Sequence, residues 1–245
     1  MPSDLHAAGA ILAYLALGAG LIALANRFLP IRREVIRKSY HIMICLCIVA
    51  LVAWFDRWYA ALLTLGAYLA LAYVGIFALN RLGVFQRFSI DRAGGVQEVL
   101  RQIGYFILSV SLSITVFWGV FGSEWKFVSL IGFMAWGFGD AAAALVGREF
   151  GRMRLKLPFF DRRKTVEGSL AMFAASAAAM FTVLSVMTAY SWAVRSTASL
   201  ILAAAGTVIE ASSHRGQDTI YLPLSVSFLS IPVLILLISM ERWLL

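Results

Sequence analysis

Apolar residues run along this chain in eight long blocks parted by short polar connections. The blocks fall at 7–26, 40–55, 58–79, 103–121, 127–146, 168–188, 197–212 and 220–240, the second being short. A helix needs about 20 apolar residues to cross the hydrocarbon core of a bilayer. A backbone in lipid must also satisfy its own hydrogen bonds, which leaves the helix as the economical solution for such blocks. The pattern predicts an all-α polytopic membrane protein, about eight transmembrane helices in one bundle, forming a single transmembrane domain over residues 1–245. It contains no internal repeat and no low-complexity linker.

Composition agrees. With 61% hydrophobic and 14% charged residues and a mean hydropathy of +0.84, the chain has too little polar surface to cover a soluble globule. Residues 1–10 lack the positive start of a cleavable signal peptide, so the first span is expected to stay. The charge pattern then sets orientation. Of 21 Lys and Arg residues, 17 lie in the connections near 27–39, 80–102, 147–167 and 213–219, whereas Arg57, Lys126, Arg195 and Arg242 fall on the opposite side. The positive-inside rule places those four connections in the cytoplasm and both termini outside. The expected location is a bacterial or archaeal cytoplasmic membrane. This asymmetry accounts for the net charge of +8, with attraction to anionic headgroups as a secondary effect. Nucleic acid is a poor partner for so apolar a chain.

Cys45 and Cys47 stand two apart in an apolar run, a spacing that points them to different faces of a helix and suits neither a metal knuckle nor a redox pair. Trp54, Trp58 and Tyr59 lie where the second and third spans meet the outer interface, the usual place for amphipathic rings.

Candidate chemistry concentrates at the end of the fifth block, where a carboxylate is expected at the end of an apolar helix, and in the basic connection after it. Gly139 and Asp140 open an alanine run that leads to Gly147 and Gly151, and Asp140, Ala144, Gly147 and Gly151 share one face if the helix continues through them. Small residues there admit a nucleotide or another helix close to the backbone. The following connection carries Arg152, Arg154, Lys156, Arg162, Arg163 and Lys164 before Thr165, Glu167, Gly168 and Ser169. Phosphate oxygens would find cations there. Helix packing through small residues and orientation by arginines explain much of this stretch. Neither requires Asp140, whose charge in the bilayer core costs roughly 2.5–3.5 kcal/mol on insertion scales.

Two further clusters lie on the same predicted side. Arg32, Arg33, Arg37, Lys38 and His41 precede or enter the second span, with Arg37 and His41 one helical turn apart. A cation pair beside an imidazole could clamp phosphates, although Arg32 and Arg33 need be no more than an orientation signal. The other cluster runs from Glu210 through His214, Arg215 and Gly216 to Asp218. Should it approach Asp140, three carboxylates would offer the hard oxygen ligands that suit Mg²⁺ carrying a nucleoside triphosphate.

These residues resemble the CTP-dependent lipid-alcohol kinases, the group of dolichol kinase, phytol kinase and yeast-type diacylglycerol kinase, themselves related to the phosphatidate cytidylyltransferases. Four stations between about residues 30 and 225 carry the resemblance. They are Arg37-Lys38 with His41; Glu98 with Arg101; Gly139-Asp140 with Gly147, Gly151, Lys164-Thr165 and Glu167-Gly168-Ser169; and Glu210 with Gly216 and Asp218, leading to Pro223. The third is the most specific. The family usually places an asparagine after the last aspartate, where this chain has Thr219.

The resemblance implies transfer of the γ-phosphoryl group of CTP to the hydroxyl of a lipid alcohol: a prenyl alcohol such as phytol, a longer polyprenol, or diacylglycerol. It implies Mg²⁺ on Asp140, with Glu210 and Asp218 as further ligands. Arg163 and Lys164 would hold phosphates, and Arg37 and Lys38 would neutralise the transferring group. Gly139, Gly147, Gly151, Thr165 and Gly168 would line the nucleotide, with His41 and Glu167 as candidate bases. The segment Gly94 to Arg101 leans towards the phytol kinase branch. The usual P-loop spacing is absent. A cytidylyltransferase is the enzyme alternative, although its Pro-Gly-His-Gly-Gly run is missing. A lipid transporter or flippase is the alternative outside catalysis.

Overall fold

The computed structural model describes residues 4–81, 95–156, 158–213 and 217–244. His214, Arg215 and Gly216 of the last station, and Gly94 ahead of the second, lie outside the described residues.

Among the described residues, eight helices are long and apolar enough to cross a membrane: Asp4–Phe28, Arg33–Trp54, Trp58–Ala78, Gln97–Val120, Ser123–Glu149, Val166–Met187, Trp192–Ser212 and Asp218–Trp243. They follow the eight apolar blocks in order. The largest shifts occur where charge enters a helix. The second span begins at Arg33 rather than 40, taking Arg37, Lys38 and His41 into its first turns. Hydropathy windows discount such residues because they are charged, but their long apolar stems line a helix as well as leucine does. The seventh span reaches back to Trp192, where the Ser191 hydroxyl caps it by accepting the Val194 N–H at 3.1 Å.

The chain divides into two compact units, residues 1–115 and 116–245. The first holds α1 (Asp4–Phe28), α2 (Arg33–Trp54), α3 (Trp58–Arg81) and α4 (Gly95–Ile114). Within it α1 packs on α2 and α3, and α3 packs on α4. Cys45 and Cys47 are buried in α2 and form no disulfide.

In the second unit, a wide turn (Thr115–Val120) and a short tight turn (Ser123–Trp125) lead to α5 (Lys126–Met134). There follow α6 (Asp140–Glu149), α7 (Val166–Met187), α8 (Trp192–Ser212) and α9 (Asp218–Leu244). Helices α5 and α6 form one span of 27 residues, interrupted by a π-helical turn at Ala135–Gly139. Close approaches fix the packing. A Cβ on Gly132 would lie 1.9 Å from the Pro223 carbonyl oxygen, so only glycine lets α5 meet α9 there, and the Ser227 hydroxyl donates to the Val128 carbonyl at 3.0 Å beside it. Helix α7 packs against both α6 and α8.

The two ends of this unit differ in chemistry. One carries the connection from α6 to α7, the end of α8 and the start of α9. The opposite end carries an aromatic band, with Trp125 stacked on Phe127, Tyr190 edge-on to Phe127, and the Lys126 ammonium 5.1 Å from the Trp118 ring centroid. Amphipathic rings and a cation of this kind are typical of a membrane–water interface.

Candidate functional site

Asp140 is the first residue of α6 and only 6% exposed. It stands not at the end of its span but well inside it. Nine residues of α6 follow, so the carboxylate lies about 13 Å from the helix end at ~1.5 Å per residue. The π-helical turn Ala135–Gly139 immediately precedes it. Such turns carry one residue more than an α-helical turn and recur at functional sites. Gly137 and Gly139 were the available signal for this irregularity, and Gly139 is also required by packing, since a Cβ there would come 2.1 Å from the Ser176 hydroxyl oxygen.

Helix α6 ends at Glu149, so Gly151 lies beyond it and the shared helical face extends only to Gly147. The glycines nonetheless converge. A Cβ on Gly168 would meet the Ala143 carbonyl oxygen at 2.9 Å and the Gly147 Cα at 3.2 Å. One on Gly151 would meet the Gly147 carbonyl oxygen at 2.1 Å and the Thr165 methyl at 2.7 Å. Of the two occupants that small residues could admit, this packing shows a helix: α7 starts directly against the last turns of α6. Thr165, 5% exposed, caps α7 by accepting the Gly168 N–H at 3.1 Å.

The connection between α6 and α7 is ordered by its own backbone. Leu155 N–H donates to the Lys164 carbonyl at 3.0 Å and Val166 N–H to the Met153 carbonyl at 2.9 Å, which pairs Arg154 with Thr165 as a two-residue antiparallel bridge. The Arg154 guanidinium donates to the Arg163 carbonyl at 2.6 Å. Glu167 closes the other side, its carboxylate accepting the backbone N–H of Arg152 at 2.9 Å and of Met153 at 3.2 Å.

Cations on this connection divide into two groups. Arg152, Arg154, Lys156, Arg162 and Arg163 face solvent, whereas Lys164 turns inward and pairs with Glu210 near the end of α8. Glu210 is 1% exposed. A second tether joins the same elements, because Asp161 N–H donates to the Ala211 carbonyl at 2.9 Å.

Glu210 therefore meets an ammonium rather than two other acids. Asp218 opens α9, where its carboxylate accepts the Thr219 N–H at 3.0 Å. Among the described residues, no group of three or more His, Cys, Asp or Glu side chains is placed to hold a metal ion. Asp140, Glu210 and Asp218, expected together, are therefore not gathered as one such group. Mg²⁺ does not require such a cluster, since it is commonly held by one or two carboxylates together with substrate phosphates. A single buried carboxylate such as Asp140 fits that pattern.

Arg37, Lys38 and His41 belong to the first unit. Arg37 is paired with Glu34 on the preceding turn, Lys38 is 1% exposed and His41 is half-buried. In the same unit Glu98 pairs with Arg101.

No protein-family model matches the chain, and no solved structure does. Two relatives of known name are similar to it. A phytol kinase of Synechocystis sp. is 30% identical over 214 residues, which cover 84% of this chain and 82% of the relative. A probable chloroplastic phytol kinase of Zea mays is 34% identical over 85 residues, covering 35% of this chain and 25% of that protein. A likeness of this extent, over a chain of eight membrane-spanning helices, is one of family: the chain belongs to the phytol kinase family of lipid-alcohol kinases.

Proposed function

We propose that this chain transfers the γ-phosphoryl group of CTP to the hydroxyl of a membrane-dissolved prenyl alcohol, with Mg²⁺ held by Asp140 and the reaction on the cytoplasmic side. The observation that carries the reading is the buried carboxylate of Asp140 at the start of α6, the helix that leads into a connection bearing six cations, of which Lys164 turns inward. Kinship with phytol kinases supports the reaction class, and the basic connections support the orientation.

In-line phosphoryl transfer asks a protein mainly for positioning and charge neutralisation. Asp140 would hold Mg²⁺, which when bound would supply positive charge to offset that of the phosphates. Lys164 and Arg163 supply the further positive charge for the phosphates. The glycines and Thr165 keep α7 tight against α6, so the cationic connection begins at a fixed place relative to Asp140. Glu167 is committed to the backbone of Arg152 and Met153, a poor arrangement for taking a proton from a lipid hydroxyl. A loose, largely dissociative transition state needs little help from a base.

The test is to supply the purified protein in lipid nanodiscs with Mg²⁺, γ-labelled CTP and a panel of acceptors: phytol, geranylgeraniol, a long polyprenol and diacylglycerol. Labelled prenyl monophosphate is expected. Label in phosphatidate alone would move the acceptor to diacylglycerol, and no labelled lipid from any acceptor would refute the reading.

A further inference from the structure

We infer that Glu210 is a positioning residue that sets Lys164 for the triphosphate, and not a ligand of the metal. The inference rests on the reading above for what binds there. Its basis is the division among the cations of one connection: five face solvent, and Lys164 alone is drawn inward, onto a carboxylate that is 1% exposed. A carboxylate so placed needs a charged or hydrogen-bonding partner to remain ionised, and the ammonium provides one. Lysine is also the cation that most needs an anchor, being a point charge on a flexible four-carbon stem with no fixed geometry of its own.

The surroundings make the pair a device for placement rather than a surface contact. Asp161 N–H bonds the carbonyl of Ala211, the residue after Glu210, so the connection is tied to the end of α8 twice within four residues. Lys164 immediately precedes Thr165, whose hydroxyl caps α7 and whose atoms fill the space left by Gly147 and Gly151. The ammonium is thereby fixed where the ends of α6, α7 and α8 meet. Its side chain is still 28% exposed, so the residue is not sealed from a ligand that approaches from solvent.

A metal ligand and a positioning residue differ in what they couple to. The full-length protein in nanodiscs is compared with Glu210→Gln, Glu210→Asp, Lys164→Gln and the Glu210→Gln/Lys164→Gln double variant. Three quantities are read: CTP-induced thermal stabilisation without lipid alcohol, KM for CTP, and the Mg²⁺ concentration giving half-maximal transfer. A positioning role predicts about a tenfold rise in KM for Glu210→Gln, with a matching loss of CTP stabilisation and an unchanged Mg²⁺ requirement. It also predicts partial rescue in Glu210→Asp, and a double variant no worse than Lys164→Gln alone. A raised Mg²⁺ requirement in Glu210→Gln, or losses that multiply in the double variant, would overturn it. Should Glu210→Gln fail to accumulate, the double variant against Lys164→Gln still decides. Wild-type protein that binds CTP but transfers no phosphate would count against the kinase reading instead, and the pair would be judged on CTP stabilisation.

Discussion

The carboxylate of Glu167 accepts the backbone N–H of Arg152 at 2.9 Å, across 15 residues of sequence. It accepts Met153 N–H as well, so one side chain in the first turn of α7 closes the connection that bears the cations. Hydrogen bonds accepted by a carboxylate are stronger than those between neutral groups. Glu167→Ala should therefore lower the unfolding temperature and activity more than Glu167→Gln, whose amide oxygen can still accept. Hydrogen exchange at the Arg152 and Met153 amides should accelerate in the same order. Equal losses in the two variants, with exchange unchanged, would return Glu167 to a role on the substrate.

Asp140→Asn keeps the volume of the side chain and removes its charge from mid-span. Insertion and thermal stability should hold or improve, because a charge at that depth costs roughly 2.5–3.5 kcal/mol. Losing a charge contact that acts in the transition state typically costs roughly 3–4 kcal/mol in the barrier, so turnover should fall by two to three orders of magnitude. Near-normal turnover at ordinary Mg²⁺ would remove Asp140 from the site.

The glycines should rank by what a Cβ would strike. Gly151→Ala and Gly168→Ala press on backbone carbonyl oxygens, at 2.1 and 2.9 Å, whereas Gly147→Ala meets a threonine hydroxyl at 3.0 Å. Overpacking costs about 1–3 kcal/mol, so the first two should melt earlier than wild type and Gly147→Ala should be the mildest. Gly104→Ala, with nothing within 4 Å of its Cβ, removes a poor helix former from α4 and should be neutral or stabilising by up to about 1 kcal/mol. Thermal unfolding in detergent measures all four, and a uniform response would refute the packing account.

Orientation is testable within the second unit. In a background lacking Cys45 and Cys47, Arg162→Cys and Ser213→Cys should react with an impermeant maleimide only from the cytoplasmic side. Ser123→Cys, at the aromatic end, should react only from outside. Arg162→Cys and Ser213→Cys reacting from opposite sides would contradict the shared end on which the site depends.

The fold was legible because spans are written in composition: each of the eight blocks became a helix in the order read. Boundaries were less legible where charge enters a helix, as at Arg37 and Lys38, since the charge is visible in a sequence while the apolar stem and the partner are not. In the site, the individual residues were legible and their partnerships were not. Asp140 announced itself by the cost of its charge. Glu210 and Lys164 were each conspicuous, yet nothing in a separation of 46 residues says that they meet. The glycines carried two meanings, close approach of a nucleotide or of a helix, and only packing distinguishes them. The π-helical turn before Asp140 has no periodic signature, because one extra residue in a turn leaves the apolar block intact.

The most direct measurement of the central claim is the position of label that reaches lipid. Purified protein with Mg²⁺ and a prenyl alcohol is given CTP labelled at either the γ or the α phosphorus, with phosphatidate offered in parallel reactions. A lipid-alcohol kinase incorporates the γ label into a prenyl monophosphate and none of the α label. Incorporation of the α label into phosphatidate would show cytidylyl transfer and contradict the account.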